Sequence, residues 1–342
     1  MSKKSAKRRR KNFTEDTLSR REGFKYKLIA EGIGVGFLAG LIVSLFRLAL
    51  TKAESARDLF IDSAGQKFTL ALLGAGLLVF IAVCTYAVII REPLSSGSGI
   101  PQVKGELQGQ INANWVQVII AKFLGGILAI GGGLSLGREG PSIQIGAMVG
   151  KGFSRINNRL RTEEKLLMTC GSGAGLAAAF GAPLAGVVFA LEELHKNFSQ
   201  EVLLSTMASA ITADCIGSYI FGLEPVLDFE INVDEGLPLN RMWMVIVLGL
   251  ILGVFGVLFN KTILIAQDCF KRLKLKWIKV FVPFAIALLL AIWLPEALGS
   301  GHKLIGLAGE GAMTVKVLVT LLAVKYVFSV VSFCSGVPGG IF

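Results

Sequence analysis

The chain is 342 residues long, 53% hydrophobic and only 17% charged, with a mean hydropathy of +0.65. A soluble domain of that size has no single core able to hide so much apolar surface, so the composition excludes a soluble globular protein and indicates an integral membrane protein. Of the net charge of +11, eight charges sit in residues 1–27, where eleven Lys and Arg face only Glu15, Asp16 and Glu22.

The leader contains "KKSAKRRRK". Such a run can bind nucleic acid, but beside a hydrophobic segment it marks the cytoplasmic side of a membrane, and no nucleic-acid partner is expected. The first apolar run, 28–50, is too long for a signal-peptide core and shows no cleavage site, so the N-terminus is expected to be kept, on the cytoplasmic side of the cell membrane. Within it Gly32, Gly36 and Gly40 are spaced four apart, a pattern that lets two helices approach closely.

A bilayer takes roughly 20 apolar residues to cross. Runs of that kind occur at 28–50, 68–90, 202–223, 242–266, 277–298 and 315–334. Between them lie shorter or interrupted pieces at 115–130, 143–150 and 166–191, the last broken by "FGAP" at 180–183. Glycine and proline inside an apolar segment free backbone groups that lipid cannot satisfy, so such breaks need cover from protein or a watery cavity. Broken helices therefore point to a substrate site near the membrane midplane.

The motifs also come round twice. "SSGSGIP" at 95–101 precedes "GREGP", with 41 positions from Ser98 to Glu139, and "LGSGHKL" at 298–304 precedes "VPGGIF", with 42 from Ser300 to Phe342. The predicted architecture is all-α and multi-pass, with inverted-topology repeats of broken and tilted helices: a basic segment 1–27, a first repeat 28–223 and the start of a second, 224–342. The second repeat stops early, so the chain reads as a fragment.

In "GREGPSIQIG" the sequence predicts a short helix with Pro141 as its first residue and Gly140 ahead of it. Backbone amides at such a helix start form an anion site. "SSGSGIP" adds the Ser98 hydroxyl ahead of Pro101, and "VPGGIF" offers amides at Ile341 and Phe342. Neutral donors hold an anion without trapping it, and a conducted ion must be able to leave, so a small halide is the expected ligand. Arg138 and Lys122 would draw anions from a distance.

Glu139 is itself an anion of suitable size. Ionised, it can occupy the site, and protonated it must leave, which would couple anion movement to protons. The competing reading is a local Arg138–Glu139 pair. In "FALEEL", Glu192 and Glu193 lie about 100° apart on an α-helix. One is therefore expected to face the interior and the other the membrane surface near Lys196, unless both simply end a helix at the interface. Cys84, Cys170, Cys215, Cys269 and Cys334 form no CxxC pair and read as buried small hydrophobes. With only His195 and His302 as histidines, no metal site and no cofactor are expected.

"GSGIP", "GREGP", "GAGLAAAFGAPLAGVVFALEEL" and "GGIF", in that order, resemble the CLC family of chloride channels and proton-coupled chloride transporters, over residues 28–342. The resemblance implies that Ser98 donates to a central chloride, that the Ile341 and Phe342 amides complete part of that site, and that Glu139 is the external gate. It makes Glu193 the internal proton-transfer glutamate of transporter members, which favours antiport over a passive chloride channel. It implies a homodimer with one pathway per subunit. The serine of "GSGIP" resembles the chloride-selecting version of the motif, and the family's tyrosine from a later helix lies beyond Phe342.

Three other readings compete. A passive channel would share the anion site, and an inactive truncated fragment would aggregate in detergent. "GLSLG" at 133–137 fits the nucleophile-elbow pattern G-x-S-x-G around Ser135, but that motif needs a strand before it and an α/β sheet around it, so no enzyme is expected.

Overall fold

The computed structural model describes residues 3–64, 68–222, 242–309 and 313–341. The elements are helices α1 (Lys3–Ala64), α2 (Phe68–Arg91), α3 (Ile100–Leu107), α4 (Trp115–Gly131), α5 (Glu139–Ile156), α6 (Arg161–Phe180) and α7 (Pro183–Phe189). A π-helical turn (Ala190–His195) leads to α8 (Gln200–Phe221), α9 (Met242–Arg272), α10 (Lys276–Trp293), α11 (His302–Gly309) and α12 (Val315–Cys334). Among the described residues the only strand-like pairing is a single bridge between Gly137 and Gly340. The protein is an all-α, multi-pass membrane protein.

Six described helices are long and apolar enough to span: Lys25–Ser63, Thr69–Arg91, Gln200–Phe221, Met242–Arg272, Lys276–Trp293 and Val315–Cys334. Each expected run falls on one of them, with two boundary corrections. The run 277–298 stops being helical at Trp293, because Leu294 precedes Pro295 and leaves the helical region, with φ −153° and ψ 66°. The helix after "GRE" starts at Glu139, with Pro141 as its third residue, and runs on to Ile156. The break at 180–183 is as expected: Gly181, at φ 66°, closes α6 through its N–H on the Ala177 carbonyl, and Pro183 opens α7.

The chain forms two compact units. One comprises Met1–Leu45, Pro101–Ile119 and Ser142–Leu223; the other comprises Phe46–Ile100, Ile120–Pro141 and Glu224–Phe342. Neither is continuous in sequence, and the division expected at 223/224 lies outside the described residues. In the first unit the glycine ladder of α1 does what its spacing suggested. A Cβ on Gly32, Gly36 or Gly40 would lie 2.6, 2.3 or 2.7 Å from backbone atoms of Ser205, Ser209 or Ala213 on α8. Ala177, Val187, Leu191, Val202 and Ala210 close the core beside them.

The second unit carries the repeat. A turn at Pro93–Ser95 and glycines at φ 65° (Gly97) and 94° (Gly99) recur as Pro295–Ala297, Gly299 (72°) and Gly301 (94°). The repeats exchange backbone bonds reciprocally. The Gly97 N–H reaches the Gly336 carbonyl at 3.1 Å and the Gly299 N–H reaches the Gly133 carbonyl at 3.0 Å. Gly137 and Gly340 bond each other in both directions, at 2.9 and 2.7 Å. An antiparallel pair that exchanges both bonds relates its strands by a local two-fold, which is how two inverted copies meet.

The cysteines correct an expectation. Only Cys170 is buried, whereas Cys84 and Cys334 are half-buried and Cys215 and Cys269 exposed. The last of these is on α9, which has no buried residue. α9 meets its own chain along α12, where Phe259 and Thr262 touch Tyr326, and the rest of this apolar helix needs lipid or another chain to cover it.

Candidate anion site

The loop ahead of α3 is held by a buried cation. Lys122 is 0% exposed, and its ammonium donates to the carbonyls of Ser95 at 2.9 Å and Gly97 at 2.6 Å. Carbonyls left over by the turn at Pro93–Ser95 would otherwise be unmet inside the protein. Sequence reasoning assigned Lys122 only a long-range pull on anions; the structure adds that it pins the loop presenting Ser98. Ser96 tightens the same loop through its hydroxyl on the Gly336 carbonyl, 2.5 Å away.

Ser98 follows at once. Its Oγ accepts from the Ile100 N–H at 3.4 Å, and its own proton has no acceptor among the described residues. Across from it stands Gly140, where a Cβ would lie 2.7 Å from the Ser98 carbonyl oxygen and 2.8 Å from its Oγ. Only glycine lets the start of α5 come this near to the serine. Gly140 also approaches Gly340, whose Cα is 3.3 Å from that Cβ position, so "GSGIP", "GREGP" and "GGIF" meet here. Ile341 is half-buried beside Gly340; Phe342 lies outside the described residues.

Glu139 is 4% exposed, and its Oε2 is buried with no hydrogen-bond partner. A carboxylate oxygen in that condition is expensive unless a partner can arrive. Arg138, 9% exposed, lies within electrostatic reach of Glu139, Glu54 and Arg47. The local pair weighed from sequence is thus one part of a wider charge cluster.

The second repeat supplies an internal comparison that sequence reasoning did not foresee. Ser300, the counterpart of Ser98, gives both its N–H (3.2 Å) and its hydroxyl (3.0 Å) to the Glu54 carboxylate. Lys325 serves this loop as Lys122 serves the first, donating to the carbonyls of Ala297 at 3.1 Å and Gly299 at 2.7 Å. One loop design, built twice, therefore holds an anionic group in the copy where one is tethered. The signal was available, because Lys122 and Lys325 are separated by nearly the same interval as the two "GSG" motifs.

Glu193 belongs to the other unit. Both Glu192 and Glu193 are exposed, which corrects the expectation that one of them faces the interior. Successive side chains of the π-helical turn lie closer in angle than on an α-helix, so both share its open face. The ion-pair partner of Glu193 is Lys104 of α3, at 2.8 Å, while Lys196 acts on it only through its charge; the carboxylate side chain stays 49% exposed. The hydrogen bond and charge of the Lys104 ammonium hold the Glu193 carboxyl below its ordinary range.

No catalytic constellation accompanies Ser135. Its hydroxyl bonds Ser329 at 2.7 Å, and His195 bonds Thr169 at 3.0 Å. Among the described residues no group of three or more His, Cys, Asp or Glu is placed to hold a metal ion.

A family model described as voltage gated chloride channel matches residues 75–342. The chain is 34% identical over 321 residues to the H(+)/Cl(-) exchange transporter ClcA of Salmonella arizonae, covering 90% of this chain and 67% of that protein. The transporter of the same name from Salmonella newport is 33% identical over the same shares. Among solved structures it is similar to a slow cyanobacterial Cl−/H+ antiporter, with a TM-score of 0.86 and 28% identity over 92% of this chain and 75% of that one. A CLC-type fluoride/proton antiporter, at 24% identity and a TM-score of 0.74 over 92% and 77%, shares the fold. The chain thus spans about two thirds of the length of the curated relatives. With the family model covering well over half its length and the three glycine-rich motifs converging as they do, the chain belongs to the CLC family, and is a membrane transport protein rather than an enzyme.

Proposed function

We propose that the protein exchanges chloride for protons across the cell membrane, with Glu139 as gate. The observation that carries this reading is the buried, unpartnered Oε2 of Glu139 on the residue next to Gly140, which packs on a serine whose proton is uncommitted. An ionised Glu139 and a chloride compete for the same donors: the Ser98 hydroxyl and the amides at Gly140, Ile341 and Phe342. Protonation removes the carboxylate from that competition, so a proton is taken up when chloride takes its place. Lys122 and Arg138 favour anions without touching them. Relatives named as H+/Cl− exchangers support this assignment of ions. The ions are the cargo, and no cofactor enters the cycle. The protein works as a homodimer with its basic N-terminus in the cytoplasm, the orientation that residues 1–27 favour.

The test is uphill transport. The full-length protein in liposomes with equal chloride on both sides and a pH gradient should accumulate chloride on the side to which exchange directs it. A passive pore leaves chloride even, and that result would remove the exchange reading.

Glu193 is the internal proton-transfer group in this scheme, and Lys104 sets its titration. Replacing Lys104 by methionine removes the contact that holds the carboxyl low. The Glu193 pKa then rises toward its ordinary value, and proton uptake begins at a higher pH. The pH profile of proton flux should move to the alkaline side; an unmoved profile would take Glu193 out of the proton route.

A further inference from the structure

The unit that carries Glu193 also holds a polar cavity of about 220 Å³ at the turn between α5 and α6. Its lining includes Arg155, Arg159, Arg161 and Lys165, with Glu106 and Glu164 as the opposing charges. Both carboxylates are already taken: Glu164 accepts from Arg155 at 3.1 Å, and Glu106 is ion-paired to the fully buried Lys151. Arg159 is paired with Glu31 of α1, yet its Nε is buried without an acceptor. Arg161 and Lys165 have no carboxylate in ion-pair range among the described residues. The cavity is therefore left with two uncompensated positive charges, Arg161 and Lys165, a deficit that a phosphate group fills.

The surroundings indicate what carries the phosphate. Ile156 and Leu160, at the two ends of the same turn, are 70% and 71% exposed, each next in sequence to a cationic residue of the cavity lining, Arg155 or Arg161. The Arg159–Glu31 pair ties the turn to α1 near the N-terminal end of its apolar span, six residues past Lys25. That is the end bearing the basic leader, the cytoplasmic side, where anionic lipids attract cations. A bias of cations toward the cytoplasm explains the charges but not the cavity that gathers them. The volume is below the roughly 300 Å³ at which pockets for drug-sized ligands begin, a fit for one phosphate and a small substituent. From these contacts we infer that the α5–α6 cavity binds the phosphate of an anionic phospholipid headgroup, with Arg161 and Lys165 as its direct partners and Ile156 and Leu160 against its acyl chains.

The experiment titrates the purified full-length protein in detergent with dioctanoyl phosphatidylglycerol, dioctanoyl phosphatidylcholine or inorganic phosphate, reading the shift in thermal midpoint. Phosphatidylglycerol should stabilise saturably at concentrations where phosphatidylcholine does not, and inorganic phosphate should bind at least tenfold more weakly. Arg161→Ala with Lys165→Ala should weaken the phosphatidylglycerol response at least tenfold, whereas Lys274→Ala with Lys276→Ala, the same charge removed elsewhere, should leave it intact. Leu160→Ser should weaken the lipid and spare phosphate, which keeps the inference testable if the double variant is unstable. Equal responses from the two double variants, or to phosphatidylcholine and phosphatidylglycerol, would overturn the site. Phosphate binding as tightly as the lipid would overturn the lipid assignment in favour of a soluble phosphate.

Discussion

Glu139→Ala should abolish proton coupling while chloride continues to cross. In the proposed scheme the buried Glu139 carboxylate, on the residue next to Gly140, is the group that changes its charge while competing for the donors an anion needs. Without it the site holds chloride whatever the pH, and a pH gradient can no longer drive chloride uphill. Oε2 makes no hydrogen bond, so the variant gives up only the carboxylate's bond to its own backbone N–H and the attraction of Arg138, and the expected stability change is at most about 1–3 kcal/mol. Proton flux should fall at least tenfold and chloride flux should change by only a few-fold when both are recorded on the same liposomes. Glu139→Gln separates charge from shape: it imitates the protonated side chain and should uncouple as alanine does. Proton transport that persists unaltered in either variant would show that Glu139 is not the gate.

Much of the fold was legible because lipid forces a simple code. Spans must be long and apolar, and breaks must have a reason, so the six spans and the interruption at 180–183 could be placed from composition alone. Gly32, Gly36 and Gly40 were readable for the same reason, since four-residue spacing puts them on one face. What escaped was set by pairing at a distance. Nothing local indicates that Lys122 spends its protons on the Ser95 and Gly97 carbonyls, or that Lys104 reaches Glu193 across 89 residues. The start of α5 was misplaced by two residues because Pro141 was taken as the first helical position; proline is tolerated throughout the first turn, where N–H groups lack partners anyway. The face of Glu192 and Glu193 was misjudged because α-helical spacing was applied to a π-helical turn. The candidate site itself was readable as three glycine-rich breaks. That they converge follows from the reciprocal Gly137–Gly340 bonds, which only the folded chain reveals.

The second large effect is expected at Lys122, and the repeat provides its control. Lys122→Met leaves the Ser95 and Gly97 carbonyls without a donor in a place water does not reach. An unmet buried acceptor costs about 1–3 kcal/mol, so the pair is worth roughly 2–6 kcal/mol against a total stability that is commonly about 5–15 kcal/mol. Lys325→Met removes the matching donor from Ala297 and Gly299. Lys325 is only half-buried, so solvent can meet those carbonyls in part, and the thermal midpoint in detergent should drop less. Chloride affinity divides the two more sharply. In the proposed scheme the Lys122 loop presents Ser98 to the transported ion, so its loosening should weaken chloride binding by an order of magnitude or more in calorimetry. The Lys325 loop presents Ser300 to Glu54, a tethered carboxylate, so its loosening should leave chloride affinity near the native value. If both variants weaken chloride equally, the two loops serve one ion, and the assignment of Ser98 alone to it is wrong. If neither does, Lys122 stabilises the fold without shaping the site.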